Sequence, residues 1–450
     1  MCTRALPVVD EQIEASQQLR SGREEWLINI MMEGAEKEGT YRPRIQRAPT
    51  RLRQIEVYKK HFEPALASIG PYHHGKTEFQ MMEKLKVRAA NQFISACSGS
   101  IDVVYSKVVE VVAEARNSYS DGSTSEFDDE AFARVMFLDG CFLLHFIYSI
   151  TNDKQCELTS CCYTVAFLLR DIFLLENQLP FVILQTLVRI RFAGDEGNKM
   201  IIEFVNQRIS SPRHSSMENQ RISSPGHSSM ENLVGNKNQQ PLHLLDLLRT
   251  TLLGVSAPPC LSANDTDWHS FRSVKELKAV GINFKRSVTH TLRAIEFKSY
   301  KIYGELSLPP ITIDDSTMPR FLNLIAYEMC PDASHDYAVT SYICFLDALI
   351  DHADDVKELR SKGILLNFLG SDDQVADLFN HFTIELVPDP NIYYTVKSGI
   401  ESHYKNSVKV SAVEFLTTHF KSPWTAFGFL AATFVVVLTC IQTVFTVYPK

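Results

Sequence analysis

The run FARVMFLDGCFLLHFIY, Phe132 to Tyr148, decides the fold. Phe132, Val135, Met136, Asp139, Phe142 and His145 recur at steps of three and four, and nearly every other position is apolar too. Such a pattern predicts a core helix covered on most of its sides. Downstream, RDIFLLENQLPFVILQTLV, Arg170 to Val188, joins two apolar segments through Glu176, Asn177 and Gln178, with Pro180 discouraging helix at Leu179. Polar groups trapped between apolar segments must find hydrogen bonds, so these three are read first as pins between helices and second as a ligand site.

Further out, PLHLLDLLRTTLLG aligns Leu244, Leu245, Leu248 and Leu252 on one helical face, with Pro241 near its first turn. Alternation in GINFKR, AIEFKS and YGELSLPPITID, near Ile282, near Ile295 and from Tyr303, predicts short strands. Pro309 and Pro310 confine the last of these to an edge or turn. Helices resume with the stripes Phe321, Leu324, Ile325, Met329 and Val375, Leu378, Phe379, Phe382. Ser371 to Gln374 fits a capping box in which Gln374 returns to the Ser371 amide, and Asp314-Asp315 fits a helix N-terminus. The fold class expected is mainly α, a multi-helix globular region with a small antiparallel β insertion and one C-terminal transmembrane helix.

That last helix is read from charge exclusion: the 25 positions from Trp424 to Tyr448 contain no Asp, Glu, Lys, Arg or His. At the helical rise this reaches roughly 35 Å, enough for a hydrocarbon core. Trp424 and Tyr448 stand where interfacial aromatics belong. Gly428 and Ala432, four apart, and Gln442 at depth form the expected surface for self-association or partner helices. Lys405, Lys409 and Lys421 on one side against Lys450 on the other orient the large region toward the cytosol, in tail-anchored topology. The plasma membrane or the endoplasmic reticulum is the expected location, and the lipid bilayer the first expected partner.

Two copies of a 13-residue unit, RISSPRHSSMENQ and RISSPGHSSMENL from Arg208 to Leu233, mark a linker. Rich in Ser, Asn and His, the stretch buries too little to offset its ordering entropy. The chain therefore divides into a helical or disordered lead (1–40), a helical N-terminal half (41–207), a disordered linker (208–240), a C-terminal half with helices and short strands (241–420) and the anchor (421–450).

Composition excludes several function classes. A net charge of -8 over 450 residues argues against nucleic acid, and the basic run Arg42 to Arg53 reads as a solvated segment. The ten cysteines include no CxxC pair, which fits a reducing compartment and no zinc site. Phosphate-loop and dinucleotide motifs are absent, as is Gly-x-Ser-x-Gly, so no cofactor is expected. A thiol hydrolase would draw on Cys141 or Cys330 with His73 or His145, without a local motif. The best surface candidate is the turn SIGPYHHGK, Ser68 to Lys76, whose His73, His74 and Lys76 are candidate binding residues beside Glu176, Asn177 and Gln178. Adjacent histidines project apart, so no metal is assigned to them. The turn is expected to pack on the helix containing Met81, Met82 and Leu85.

Taken in order, Arg47-Ala48-Pro49, SIGPYHHGK, Met82-Glu83 with Lys86, LDGCF from Leu138, LLENQLPF from Leu174, HLLDLLR from His243, ELKAVGINFK from Glu276, LPPITIDD from Leu308, LNLIAYEMC from Leu322, SYICFLDALI from Ser341, LGSDDQVADLFN from Leu369 and the terminal IQTVFTV resemble the plant domain of unknown function 247 family. The resemblance runs from about Arg42 to the end. It implies a mostly helical, single-pass plant membrane protein without established catalytic activity, and kinship with pollen-side determinants of self-incompatibility in grasses. Gln46 and Ala48 depart from the family's usual aromatic and valine, and the repeat lies outside its pattern. Together these readings predict a non-enzymatic, membrane-anchored recognition or signalling protein with an unidentified protein partner; the alternatives are the hydrolase and a passive scaffold.

Overall fold

Asp128 opens the central helix by accepting the Ala131 amide at 2.7 Å, the expected role of an aspartate at a helix cap. From there Asp129–Thr151 runs through the middle of the body, and Phe132, Met136, Phe142, Leu144, Phe146 and Ile147 are wholly buried along it. The computed structural model describes residues 23, 26, 27, 43–154, 158, 160–209, 240–254, 272–332, 336–382, 384–405 and 423–447.

Before the central helix come α1 (Thr50–Gln54), α2 (Glu56–Lys59), α3 (Gln80–Ser95), α4 (Ile101–Glu110) and α5 (Val112–Asn117). The central helix is α6, followed by α7 (Cys162–Asp171), α8 (Phe181–Arg191) and α9 (Glu196–Ile209). Helices α3, α4, α8 and α9 pack around α6. Gly140 lets α8 approach, because a Cβ there would stand 2.6 Å from Leu187 Cδ1. Helix α9 carries through Arg208 and Ile209, so these two residues are helix rather than linker, and 210–239 lie outside the described residues.

The second stretch holds α10 (Leu244–Leu253), α11 (Val274–Ala279), β1 (Ile282–Arg286), β2 (Glu296–Ser299), β3 (Gly304–Leu308), β4 (Ile311–Ile313), α12 (Thr317–Glu328), α13 (Ala338–Leu349), α14 (Ala353–Ser361), β5 (Leu365–Asn367), α15 (Asp372–Phe382) and α16 (Tyr394–Tyr404). The strands alternate as expected, Ile282 and Phe284 inward and Asn283 and Lys285 outward. The β insertion is mixed rather than purely antiparallel. β2 pairs antiparallel with β3, with Phe297 opposite Leu306, while β1 pairs parallel with β3, with Phe284 opposite the same Leu306. Each connection reverses the chain, so the first and third strands run the same way, and the third sits between the other two. A separate pair, β4 with β5, is parallel. Pro309 and Pro310 occupy the turn between β3 and β4.

Capping differs in one detail from expectation. The Gln374 amide does donate to Ser371 Oγ, at 3.2 Å, but the Gln374 side chain accepts from Gly370 N instead of Ser371 N. Ahead of α12, Asp314 Oδ1 accepts from the Ser316 amide and from the hydroxyls of Ser316 and Thr317, so that carboxylate fixes the turn that leads into the helix, while the N-cap itself, Ser316, makes no side-chain cap bond.

The two stretches share one core. Fully buried Tyr58 donates its hydroxyl to the carbonyls of His381 and Phe382, 2.8 and 2.9 Å away, and the Phe181 amide donates to Leu242 O. Helix α17 (Pro423–Val447) is different: its span Phe427–Val444 is long and apolar enough to cross a membrane, and none of it is buried. Gly428, Ala432 and Gln442 are exposed on it. Thr433, Thr439, Thr443 and Thr446 each donate their hydroxyl to the carbonyl four residues earlier, satisfying these polar groups within the helix. The Trp424 side chain and Tyr448 lie outside the described residues.

Candidate functional site

Residues Ala65 to Gly70 form no helix or strand, yet several are buried, so their amides need acceptors. Side chains supply them. Asp171, at the end of α7, accepts the amides of Ala65, Leu66 and Ala67 at 2.9, 2.7 and 3.0 Å. Asn177 Oδ1 accepts from Ile69 N at 2.6 Å, and its Nδ2 donates to Ala67 O and Asp171 O. Asp139, midway along α6, accepts from Gly70 N at 2.8 Å. Gly70 has φ +76, and a Cβ there would lie 2.7 Å from Gln178 O, so no other residue fits comfortably.

Lys86 completes this centre from α3. Its ammonium is fully buried and donates to Asp139 Oδ1 at 2.6 Å and Ser68 O at 2.5 Å, with Glu83 also 2.6 Å away. Burial works against the lysine charge, but Asp139 and Glu83 outweigh it and raise its pKa. The expected docking of the turn on this helix is therefore made through Lys86 and Glu83, both on Ser68, while Met82 is buried and Met81 exposed.

Gln178 ties the loop to the second stretch. Its Nε2 donates to Ile172 O and Leu174 O, its Oε1 accepts from Leu245 N at 3.1 Å, and its own carbonyl accepts the Tyr119 hydroxyl. Asn323 of α12 does the same from the other direction, accepting from Leu175 N and donating to His61 O.

Glu176 faces a more open cluster. Wholly buried itself, it accepts from Ala48 N and, in a two-pronged pairing, from Arg53 Nε at 2.8 Å and Nη2 at 2.5 Å. Arg47 Nη1 lies 3.6 Å away, its guanidinium over the Tyr72 ring. Buried His73 sits between two carboxylates, Nδ1 3.4 Å from Glu63 and Nε2 3.8 Å from Glu176. Burial, with the Lys76 charge, lowers its pKa to about 4, so the ring is neutral at pH 7. Lys76 donates to Glu63 at 2.8 Å; burial of Glu63 opposes its ionisation, but that bond and the surrounding cations hold its pKa below the ordinary value.

The candidate binding residues thus fall into two sets. His73, Glu176, Asn177 and Gln178 are buried in one connected network, whereas His74 and Lys76 reach the surface, His74 edge-on to Phe127. Arg53 corrects the reading of Arg42 to Arg53 as solvated, since Glu176 draws it inward. Gln46 donates to Asp332 at 2.6 Å. Lys86, Asp139, Asp171 and Asn323 carry as much of the network as the candidate binding residues do. Their signal was a charge or amide on an otherwise apolar helical face.

Chemically, the arrangement holds backbone and charge, and among the described residues neither of its candidate thiols is paired with a histidine. Neither nitrogen of His73 or His145 has a hydrogen-bond partner. Burial pushes the Cys141 thiol up, and the Cys330 thiol up to about 12, and Cys330 donates to Ala326 O. Among the described residues no group of three His, Cys, Asp or Glu side chains can hold a metal ion.

Two Arabidopsis thaliana proteins are similar to this chain. UPF0481 protein At3g47200 is 28% identical over 447 residues, covering 92% of this chain and 87% of the relative. Putative UPF0481 protein At3g02645 is 26% identical over 194 residues, 43% of this chain and 35% of the relative. No solved structure matches it. The profile of DUF247, described as plant protein of unknown function, matches residues 45–438, and the chain therefore belongs to that family.

Proposed function

We propose that this protein is a non-enzymatic, membrane-anchored recognition or signalling component, held by α17, with its helical body in the cytosol. One observation carries the reading: an apolar helix of membrane-crossing length, none of it buried, follows a body whose central polar residues already serve one another. The unpartnered apolar face asks for lipid, and the threonines bonded to their own helix backbone suit that solvent. Support for a non-catalytic role comes from Cys141 and Cys330, deeply buried, with their thiols held protonated and, among the described residues, joined to no imidazole. The recognition role rests on the resemblance to pollen-side self-incompatibility determinants. Partner proteins would meet the exposed loops of the body, and a second copy would meet Gly428, Ala432 and Gln442.

The deciding experiment is alkaline carbonate washing of plant membranes carrying the tagged full chain or the chain lacking residues 423–447. Retention of the first and release of the second are expected; release of both would overturn the anchor. In parallel, Cys141→Ala and Cys330→Ala should leave partner capture and phenotype unchanged, and loss of either with the fold intact would restore the hydrolase reading.

A further inference from the structure

A second polar group lies where α9 ends against the start of α12, and among the described residues no carboxylate bonds to it as Asp139 bonds to Lys86; Arg208 and Arg320 lie over the rings of Phe204 and Phe321. Arg208 and Arg320 line a cleft there, together with His290 and the apolar walls of Leu248, Leu292 and Phe321. The cleft is shallow: its roughly 430 Å³ of empty space counts open solvent, and the enclosed part has room for only a few water-sized groups, so a ligand there would remain partly in solvent. Arg320 Nη1 donates to the Arg208 carbonyl at 3.3 Å, which caps the last turn of α9. Arg208 Nε is buried without a hydrogen-bond partner. Among the described residues, one carboxylate, Asp314, acts on the two guanidiniums, and its Oδ1 is already engaged by Ser316 and Thr317. Burial, and for Arg208 the neighbouring Arg320, lowers the pKa of both arginines against the pull of Asp314. Two close cations in a partly apolar cleft repel one another and cost desolvation, unless an anion joins them.

We propose that this cleft binds a small organic phosphate, its phosphate held by Arg208 and Arg320 and its short apolar group against Leu248, Leu292 and Phe321. The planar donor forks of arginine suit phosphate oxygens at short range, and the walls add affinity for an apolar substituent that inorganic phosphate lacks. His290 lies on the same cleft and contributes to its polar lining. The site is independent of the membrane helix, so its failure would leave the anchor untouched.

The test is titration calorimetry and thermal unfolding of the full chain in neutral-detergent micelles, with phenyl phosphate, inorganic phosphate and phenol as probes. Phenyl phosphate is expected to bind one to one and raise the melting temperature, inorganic phosphate to bind at least about tenfold more weakly, and phenol not to bind. Arg208→Gln should weaken phenyl phosphate at least about tenfold, and Arg208→Gln with Arg320→Gln should abolish it. Without ligand, Arg208→Gln should melt at or above the wild-type temperature, because one of two repelling charges is gone; a merely structural arginine would lower it. Since Arg320 also caps α9, Thr312→Leu gives a second route, crowding the cleft while leaving both guanidiniums, and it too should remove binding. Absence of phenyl phosphate binding up to about 10 mM would overturn the proposal. So would equal binding by the double variant, or affinity for phenyl phosphate no greater than for phenol.

Discussion

Two helices of this molecule, α6 and α17, are long and apolar enough to cross a bilayer, yet 72% of the first span lies buried in the body and 0% of the second. The difference is carried by what interrupts the apolar surface. Helix α6 contains Asp139, matched by Lys86 and the Gly70 amide, and Gly140, which admits Leu187 and Ile183 of α8. The polar groups of α17 that are seen to bond do so to its own backbone, and a Cβ added at Gly428 would meet nothing within 4 Å. A polar interruption answered by another element marks protein as the surrounding medium; one answered locally leaves the helix free for lipid.

The comparison can be broken most decisively at the Lys86–Asp139 pair. Lys86→Met should cost about 3–5 kcal/mol in denaturant unfolding, because it strands a buried carboxylate. Adding Asp139→Leu should cost less than the sum of the single changes, and simple additivity would show that the pair does not couple.

Next in size is a pH effect at His243, the fully buried cap of α10, whose Nδ1 accepts the Asp246 amide at 3.1 Å. Burial lowers its pKa to about 3 from an unfolded value near 6.5. With the folded value depressed, the unfolded chain takes up the proton first, so the stability is present above pH 6.5 and lost as pH falls toward 3. Between pH 7 and 4.5 His243 alone should contribute a loss of about 2.5 kcal/mol, and His243→Asn, which keeps a capping acceptor, should reduce the slope by that share while the contributions of His73 and His145, also depressed by burial, remain. An unchanged slope in the variant would remove His243 from the account.

The paired glycines sharpen the contrast further. Gly140→Ala should destabilise the body by about 1–3 kcal/mol, as α8 is forced outward. Gly428→Val should change unfolding of the body by less than about 0.5 kcal/mol, while chemical crosslinking in membranes should show fewer dimers if α17 self-associates. Equal costs at the two positions would mean that α17 is packed as α6 is.

Helical elements were largely legible because their signal is local. Phe132 to Tyr148 announced a covered helix by period, and Phe321, Leu324 and Ile325 are buried as their stripe implies. Strand direction was not legible, since which edge of β3 receives β1 depends on contacts far from either strand. The site was half readable. Glu176, Asn177 and Gln178 stood out as polar residues between apolar segments, but Glu176 and Asn177 bond to Ala48, Arg53, Ala67 and Ile69, more than a hundred residues earlier, and Gln178 reaches forward to Leu245, separations for which no spacing rule exists. Arg53 was misread for the same reason: its run looks solvated until Glu176 is placed beside it.

The fastening of Ala65 to Gly70 also sets an order of events during synthesis. The Ala65 amide meets its acceptor only after 106 more residues have been made, and the Ile69 amide after 108. At translation rates of roughly 5–20 residues per second, this part of the nascent chain waits on the order of five to twenty seconds with its amides answered only by water or by a chaperone. The loop is therefore a clasp closed late, by residues that arrive with α7 and the turn behind it, and the N-terminal helices cannot reach their final packing before it shuts.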